Sequence, residues 1–485
     1  MMGTFLSIFF LASLAVSPVL KTPATSRLFE PVIDPLSGVT THLLKTDLAQ
    51  WNAQTLYFTS PTYSADGRFL LFLASDDEFK VRSVPRKIML IDFLKDEIVD
   101  LGIKYDRGPL LDSKTDSLYY FNRMRLMFCR RDLLVDPLKE IDVVAVPKEF
   151  GELGKGDSLF THITLTTDRS KIWCDCHVGS RYFQGLLDIP TGAFEKWAET
   201  KFLCNHGQIN PVRDDLALCA WECAKFKSVA ELTDEERKTV KVDASGVTTN
   251  VKRPADWTYP RLQLFVRGKG SPTTIPSTFG NYATHEWWAR DGKGFIFCSG
   301  GEVIYHDLAS GKQRSLCSHG GTHATLTSDN RYVTFDAGFR GSARGKPFAV
   351  GLCAAEKDQV VWIRPYTGRY CDDGDQSKIH PDTHPHFSAD DRWVVWTWLD
   401  PHRMRVAVTE VAPIARRLER MPKRVPAPPR DWKTVDGETA AFLKAHPAGT
   451  PLTKEERDAG LALAYEGPRW SKRTVALFER LSADK

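Results

Sequence analysis

Histidines recur at one step of a repeated sequence pattern. Four of them stand six residues before an aspartate that opens a turn, at His162, His285, His323 and His384. His206 takes the matching place in a looser copy of the pattern. Imidazole binds first-row metal ions and exchanges protons near neutral pH. The five histidines therefore predict a functional pocket with metal or acid–base chemistry.

The last copy carries a second histidine, in the sequence His384-Pro-His386. Residues two apart on a strand point to the same face, so both rings can reach a shared ion. With His285 contributed from another copy, three imidazoles make a site for zinc, manganese or a similar first-row ion. His380 stands four residues before His384 and is a further candidate.

The pattern itself predicts the elements that position these histidines. Each copy has a short polar lead, an aspartate in a turn, and then a strand of apolar, β-branched and aromatic residues, as in Asp66-Gly-Arg followed by Phe69-Leu-Leu-Phe72. The copies begin at Ser60, Leu110, His162, His206, His285, His323 and His384. Repeats of this kind predict an all-β fold, a seven-bladed β-propeller with a short C-terminal helical tail. The first strand of each blade lines the central channel, so residues at the same step converge there.

Three segments are predicted along the chain. Residues 1–20 are apolar and end in small residues, which indicates a signal peptide and export to the periplasm or beyond. Residues 27–415 form the propeller, with a charged insertion near 223–258 on one rim. Residues 416–485 form a basic linker and a helical tail. No later stretch is apolar enough to cross a bilayer.

The bulk composition fits an ordinary globular protein. The chain has 485 residues, 42% of them hydrophobic and 26% charged, with a formal net charge of +4. So slight a charge does not favour a nucleic-acid partner. A peptidase gated by a propeller is also disfavoured, because the chain has no Gly-x-Ser-x-Gly elbow followed by an α/β domain. The sequence does not determine the oligomeric state.

Several segments resemble the oligogalacturonate lyase family, seven-bladed propellers that split short pectin fragments by β-elimination. They are Asp34-Pro-Leu-Ser-Gly-Val-Thr-Thr-His-Leu-Leu44, Cys204-Asn-His-Gly-Gln-Ile-Asn-Pro211, Thr284-His-Glu-Trp-Trp288 and Thr383-His-Pro-His386. The match runs in patches over residues 29–411. Exported ulvan lyases that share the propeller are similar in outline, so another uronate polymer is an alternative substrate.

The resemblance implies roles for individual residues. His285, His384 and His386 fall where the family holds manganese, and His206 falls where it has the catalytic base. The family's fourth ligand is a glutamine three residues before the His-Pro-His pair, where this chain has Pro381. Either His380 or Gln376 replaces it or the site is altered, so zinc or calcium stays open beside manganese.

The implied reaction on an acidic oligosaccharide removes the C5 proton of a uronate and expels the C4 oxygen. A cation on the carboxylate would stabilise the developing charge, and His206 would take the proton. Arg181 and Arg340 are the alternative candidates for sharing the charge neutralisation at the reacting centre. His162, His323 and Arg340 are candidate substrate-binding residues. The acid that protonates the leaving oxygen stays open among His162, His323, a tyrosine such as Tyr182, and water.

A second hypothesis, of a different class, is an exported propeller that binds a sugar or a protein partner without catalysis. The proline at position 381 favours this alternative, because proline has no side chain that can bind a metal.

Overall fold

The computed structural model describes residues 19–45, 52–75, 86–105, 108–154, 157–222, 226–228, 232–240, 247–252, 259–280, 282–338, 347–368, 382–400, 403–425, 430–468 and 471–483. Most of the predicted signal peptide lies outside these residues, as do Arg340, Gln376, His380 and Pro381. Within the described part of the chain, no helix is both long and apolar enough to cross a membrane.

Antiparallel sheets follow one another along the chain as blades, each formed mainly by strands that are consecutive in sequence. Blade 1 contains Asn52–Gln54, Phe69–Ser75, Lys87–Asp92 and Glu97–Lys104. Blade 2 contains Leu110–Asp112, Ser117–Asn122, Met127–Asp132 and Asp136–Ala145, followed by a 3-10 turn at Lys148–Phe150. Blade 3 contains Lys171–Val178, Arg181–Asp188 and Phe194–Thr200.

The next three blades continue the series. Blade 4 contains Cys204–Asn210, Arg213–Trp221, Leu262–Val266 and Thr273–Ile275. Blade 5 contains Ala283–Trp288, Gly294–Ser299, Glu302–Asp307 and Gln313–Cys317. Blade 6 contains Ala324–Leu326, Tyr332–Gly338, Phe348–Ala354 and Gln359–Arg364. The insertion within blade 4 contributes a small pair of strands, Phe226–Ser228 and Val247–Lys252, and the helix Asp234–Thr239.

Blade 7 joins the two ends of the propeller. Its strands are His386–Phe387, Trp393–Asp400 and Arg403–Glu410 from the C-terminal side, and Thr40–Leu44 and Phe29–Ile33 from the N-terminal side. The junction pairs His42 with Val408 and Leu43 with Ala407. This shared blade ties the two ends of the ring together through strand pairing. The predicted seven-bladed propeller is confirmed.

Apolar strands explain how the blades pack. The strand Phe69–Ser75 is buried at each of its positions, because both faces of a blade lie against neighbouring blades. Large side chains such as Trp173, Phe335 and Trp396 are fully buried between the sheets. This packing fixes the innermost strands, and with them the side chains that line the channel.

The chain continues after blade 7 as helices. They are Val411–Arg420, Trp432–Ala445, Lys454–Glu466 and Lys472–Ala483. The last helix packs through Phe478 and Leu481 in a cluster with Leu36 and Tyr366 of the propeller. The predicted helical tail is therefore present, whereas the exact domain bounds stay a prediction.

Candidate functional site

Five of the predicted histidines meet in the central channel, and we call them the histidine cluster: His162, His206, His285, His323 and His384. Ring centroids lie 5.3 Å apart between His162 and His206. On the other side, His323 lies 4.1 Å from His285 and 4.6 Å from His384. The cluster thus has two parts, one with two histidines and one with three.

Tyr57 of blade 1 stands between the two parts. Its ring stacks on His162 at 5.3 Å with an interplanar angle of 6°, and its centroid lies 6.1 Å from that of His206. The same ring is 4.8 Å from His384 and 6.0 Å from His323. Tyr57 therefore contacts both parts of the cluster at once.

Three of the histidines have a left-handed backbone conformation. His206, His285 and His384 have φ angles of 52°, 54° and 42°, in the left-handed region that side chains rarely adopt. The strand pairing shifts register around His206 and His285. A bulge redirects a side chain at a cost in backbone strain, and such strain concentrates at functional sites.

The three-histidine part contains a group of donors that could hold a metal ion. His323, Asp382 and His384 each offer a ligand atom, and these atoms lie within 4.8 Å of one another. Nδ1 of His285 and both ring nitrogens of His384 are buried without a hydrogen bond, although Nε2 of His384 lies 3.5 Å from Asp382. Burial lowers the pKa of His285 well below its ordinary value and also lowers that of His384. Buried neutral imidazoles beside a carboxylate suit a first-row divalent ion.

A buried carboxylate orients one of these donors. Asp336 accepts hydrogen bonds from Nδ1 of His323 at 3.0 Å and from the hydroxyl of Thr383 at 2.7 Å. Burial alone would lower the pKa of His323, but Asp336 raises it above its usual value. Because Nδ1 of His323 donates to Asp336, Nε2 is the nitrogen that remains available to bind a metal ion. Carboxylates behind metal-binding histidines commonly play this part.

Replacing Asp336 with asparagine is expected to weaken divalent-metal binding by about 10- to 100-fold, because His323 loses its charged orienting partner. Titration calorimetry with Mn²⁺ and with Zn²⁺ measures the change. Asp329→Asn is the matched control, since Asp329 lies in the turn of the same blade and accepts from Thr327. An unchanged Kd in the folded Asp336→Asn protein would contradict this role.

The two-histidine part is organised by charged residues. Nε2 of His206 lies 3.3 Å from Glu222, and Glu222 accepts from Arg261 at 2.8 Å. Arg261 also donates to Glu286 at 3.0 Å and is itself buried. Burial would raise the pKa of Glu222, but His206 and Arg261 hold it well below its usual range. Glu222 is therefore a fixed negative charge behind His206.

This charge determines which nitrogen of His206 can act as a base. A carboxylate only accepts hydrogen bonds, so Nε2 of His206 carries the proton that faces Glu222. In the neutral ring the lone pair is then on Nδ1. That atom lies 3.3 Å from Nε2 of His162, inside the channel.

His386 has different partners from the other predicted metal ligands. Its Nε2 lies 2.6 Å from the hydroxyl of Thr62, and its Nδ1 lies 2.9 Å from the carbonyl oxygen of His384. Burial lowers the pKa of His386 to about 4. Both ring nitrogens of His386 therefore already have hydrogen-bond partners, and the group of His323, Asp382 and His384 does not include it. A role of His386 as a metal ligand stays a prediction.

Arg181 is placed on the surface. Its side chain is 58% exposed and forms hydrogen bonds of 3.0 and 3.2 Å to Glu199. These contacts do not connect Arg181 with the histidine cluster. Among the described residues, Arg261 is a buried cation that reaches the cluster, through Glu222. The catalytic role of Arg181 stays a prediction.

The channel continues beyond the cluster as a cavity of about 310 Å³. Phe58 lines this cavity and also contacts His285 and His323, with centroids 5.9 and 5.2 Å apart. Nine further lining residues stand two or three positions after a cluster histidine: Thr164, Leu165, Ile209, Trp287, Trp288, Thr325, Leu326, His386 and Phe387. The aromatic ring of Phe58 thus lies between the cluster and the cavity.

Some of these residues had a signal in the sequence that the repeat analysis did not use. Asp336 stands seven residues after the turn aspartate of its blade, and Asp175 stands seven after Asp168. Asp175 accepts two hydrogen bonds from Thr161 and one from the backbone of Gly207, beside His162 and His206. This second-strand position therefore supports the histidines in two blades. Tyr57, Glu222 and Arg261 had no comparable signal.

Comparison with known proteins finds relatives by structure only. No protein-family model matches the chain, and no curated protein matches it in sequence. An oligogalacturonate lyase in complex with manganese superposes with a TM-score of 0.57 at 17% identity, covering 79% of this chain and 96% of the other. The oligogalacturonate lyase from Vibrio parahaemolyticus superposes with a TM-score of 0.56 at 16% identity, again over 79% and 96%. The resemblance noted in the sequence thus extends to the three-dimensional structure, and the chain has the propeller fold of these lyases.

Proposed function

We propose that this protein is a metal-assisted lyase that cleaves uronate-containing oligosaccharides, of the oligogalacturonate kind, by β-elimination. The observation that carries the proposal is the division of the histidine cluster into a metal-binding part and a basic part, with Tyr57 between them. β-Elimination beside a carboxylate needs both a cation for the carboxylate and a base for the neighbouring proton.

His206 is the proposed base. Glu222 fixes its tautomer and favours the imidazolium that forms when the proton is taken, as a buried carboxylate does for other catalytic histidines. Arg261 and Glu286 hold Glu222 in place. This series of charged side chains therefore supports proton transfer to Nδ1 of His206.

His285, His323, His384 and Asp382 would hold the divalent ion. Nitrogen donors favour manganese or zinc over calcium, which prefers oxygen ligands. The ion would draw charge from the uronate carboxylate, an electrostatic contribution worth several kcal/mol. The protein's own part is to present buried ring nitrogens that make no hydrogen bond, with His323 oriented by Asp336.

The proposed substrate is an acidic oligosaccharide, and the apolar N-terminal segment fits an enzyme that meets it after export. Oligogalacturonate is the first candidate, and ulvan or another uronate polymer is the alternative.

An ultraviolet assay for the 4,5-unsaturated product on oligogalacturonate, ulvan and other uronate polymers tests the proposal. We expect product from one of these substrates, lost on chelation and restored by Mn²⁺ or Zn²⁺. Tight sugar binding without product would contradict it and favour a non-catalytic sugar-binding propeller.

A further inference from the structure

We propose that Tyr57 is the catalytic acid, donating its phenolic proton to the C4 oxygen as this leaves. The inference rests on the proposed lyase function. It starts from the place of Tyr57 in the channel, in ring contact with four of the cluster histidines: His162, His206, His323 and His384.

The reacting atoms of a uronate are close together. C5 carries both the carboxylate and the proton that is removed, and the leaving oxygen is two bonds from C5. A sugar with its carboxylate at His384 and Asp382 and its C5 proton at His206 must span the space between the two parts of the cluster. Tyr57 borders that space through its ring contacts with both parts, and this places its side chain beside the leaving oxygen.

The other candidate donors are already engaged. Nε2 of His162 faces His206 at 3.3 Å, and its Nδ1 faces the hydroxyl of Thr59 at 3.4 Å. His323 donates from Nδ1 to Asp336 and belongs to the metal-binding group. Tyr182, a candidate on sequence grounds, stacks on His177 at 4.9 Å in the outer part of the hairpin of blade 3.

A tyrosine hydroxyl is ordinarily protonated at neutral pH. A protonated phenol is a proton donor and not a base, which complements the role of His206.

The proton and electron balance closes without a further reactant. The C5–H bond breaks and its electron pair forms the C4–C5 double bond, while His206 keeps the proton. The C4–O bond breaks with its pair on oxygen, which takes the proton of Tyr57. One proton then passes through solvent from the imidazolium of His206 to the phenolate of Tyr57, and the resting state returns.

Tyr57→Phe tests the proposal, because phenylalanine keeps the ring contacts and removes only the hydroxyl. On the best oligomeric substrate we expect kcat to fall by roughly 10²-fold or more, with KM within about twofold of wild type. On the same uronide with a 4-nitrophenoxy group at C4, which leaves without protonation, we expect the variant to stay within about tenfold of wild type. Tyr63→Phe is the control in the same blade, where Tyr63 packs on Phe93 in the core.

Each outcome is decisive. A Tyr57→Phe protein as active as wild type on the oligomer overturns the acid role and leaves the lyase proposal standing. An equal loss on both substrates also overturns it, since the hydroxyl would then serve structure or binding. A wild-type protein that forms no unsaturated product from any uronate substrate overturns the lyase proposal and the acid role together.

Discussion

Replacing His206 with alanine is expected to lower kcat for uronate elimination by about 10²- to 10⁴-fold, the usual loss when a general base is removed. The reason is local: Glu222 fixes the proton on Nε2, and the lone pair of Nδ1 lies in the channel. The rate of appearance of the unsaturated uronide in the ultraviolet measures the effect, and circular dichroism checks the fold.

Two further variants sharpen this test. Glu222→Gln keeps the size of the side chain and removes its charge, so we expect a smaller loss of kcat than for His206→Ala. His42→Ala is the histidine control, because His42 lies in blade 7 against the edge of Trp393. Unchanged kcat in His206→Ala would remove this residue from the mechanism, whatever Glu222→Gln does.

Replacing His384 with alanine is expected to abolish stoichiometric binding of a divalent ion. Both ring nitrogens of His384 are buried without a hydrogen bond, in the group with His323 and Asp382. Metal analysis of the purified protein and thermal unfolding with added Mn²⁺ measure the loss. Wild type should gain about 2.7 kcal/mol of stability at a free ion concentration a hundred times Kd, and the variant should gain almost none.

The same measurements separate two ligand sets. Asp382→Asn should lose the metal as His384→Ala does, whereas His386→Ala should keep it, because the nitrogens of His386 face Thr62 and a carbonyl oxygen. The opposite result, with metal lost in His386→Ala and retained in Asp382→Asn, would support the set inferred from the family resemblance. Both ligand sets include His285 and His384, so variants of these two residues cannot distinguish one set from the other.

The repeat made much of the fold predictable. Strand alternation, turn aspartates and the spacing of the copies follow local rules, and they gave the correct number of blades. The convergence of His162, His206, His285, His323 and His384 could also be predicted, because equal steps in a propeller arrive at the same level of the channel. The bulges at His206 and His285 could not, since they depend on how neighbouring blades pack.

The metal-binding group shows the limit of reasoning from spacing. The interval in His384-Pro-His386 suggested that both rings share an ion. In the structure His384 has a φ of 42° and lies before the strand that begins at His386, so the two residues are not successive positions of one regular strand. Asp382, two residues earlier, joins the group instead.

The sequence by itself determined the blade architecture and the presence of histidines at one level of the channel. Both follow from a pattern that repeats along the chain. The tertiary structure alone decided the partners of those histidines. Glu222 follows the strand paired with that of His206, Arg261 joins it from beyond the insertion, and Tyr57 arrives from a blade that contributes no cluster histidine. The contacts of Arg261 and Tyr57 join residues far apart in sequence. They depend on the packing of strands and blades, for which no local pattern exists.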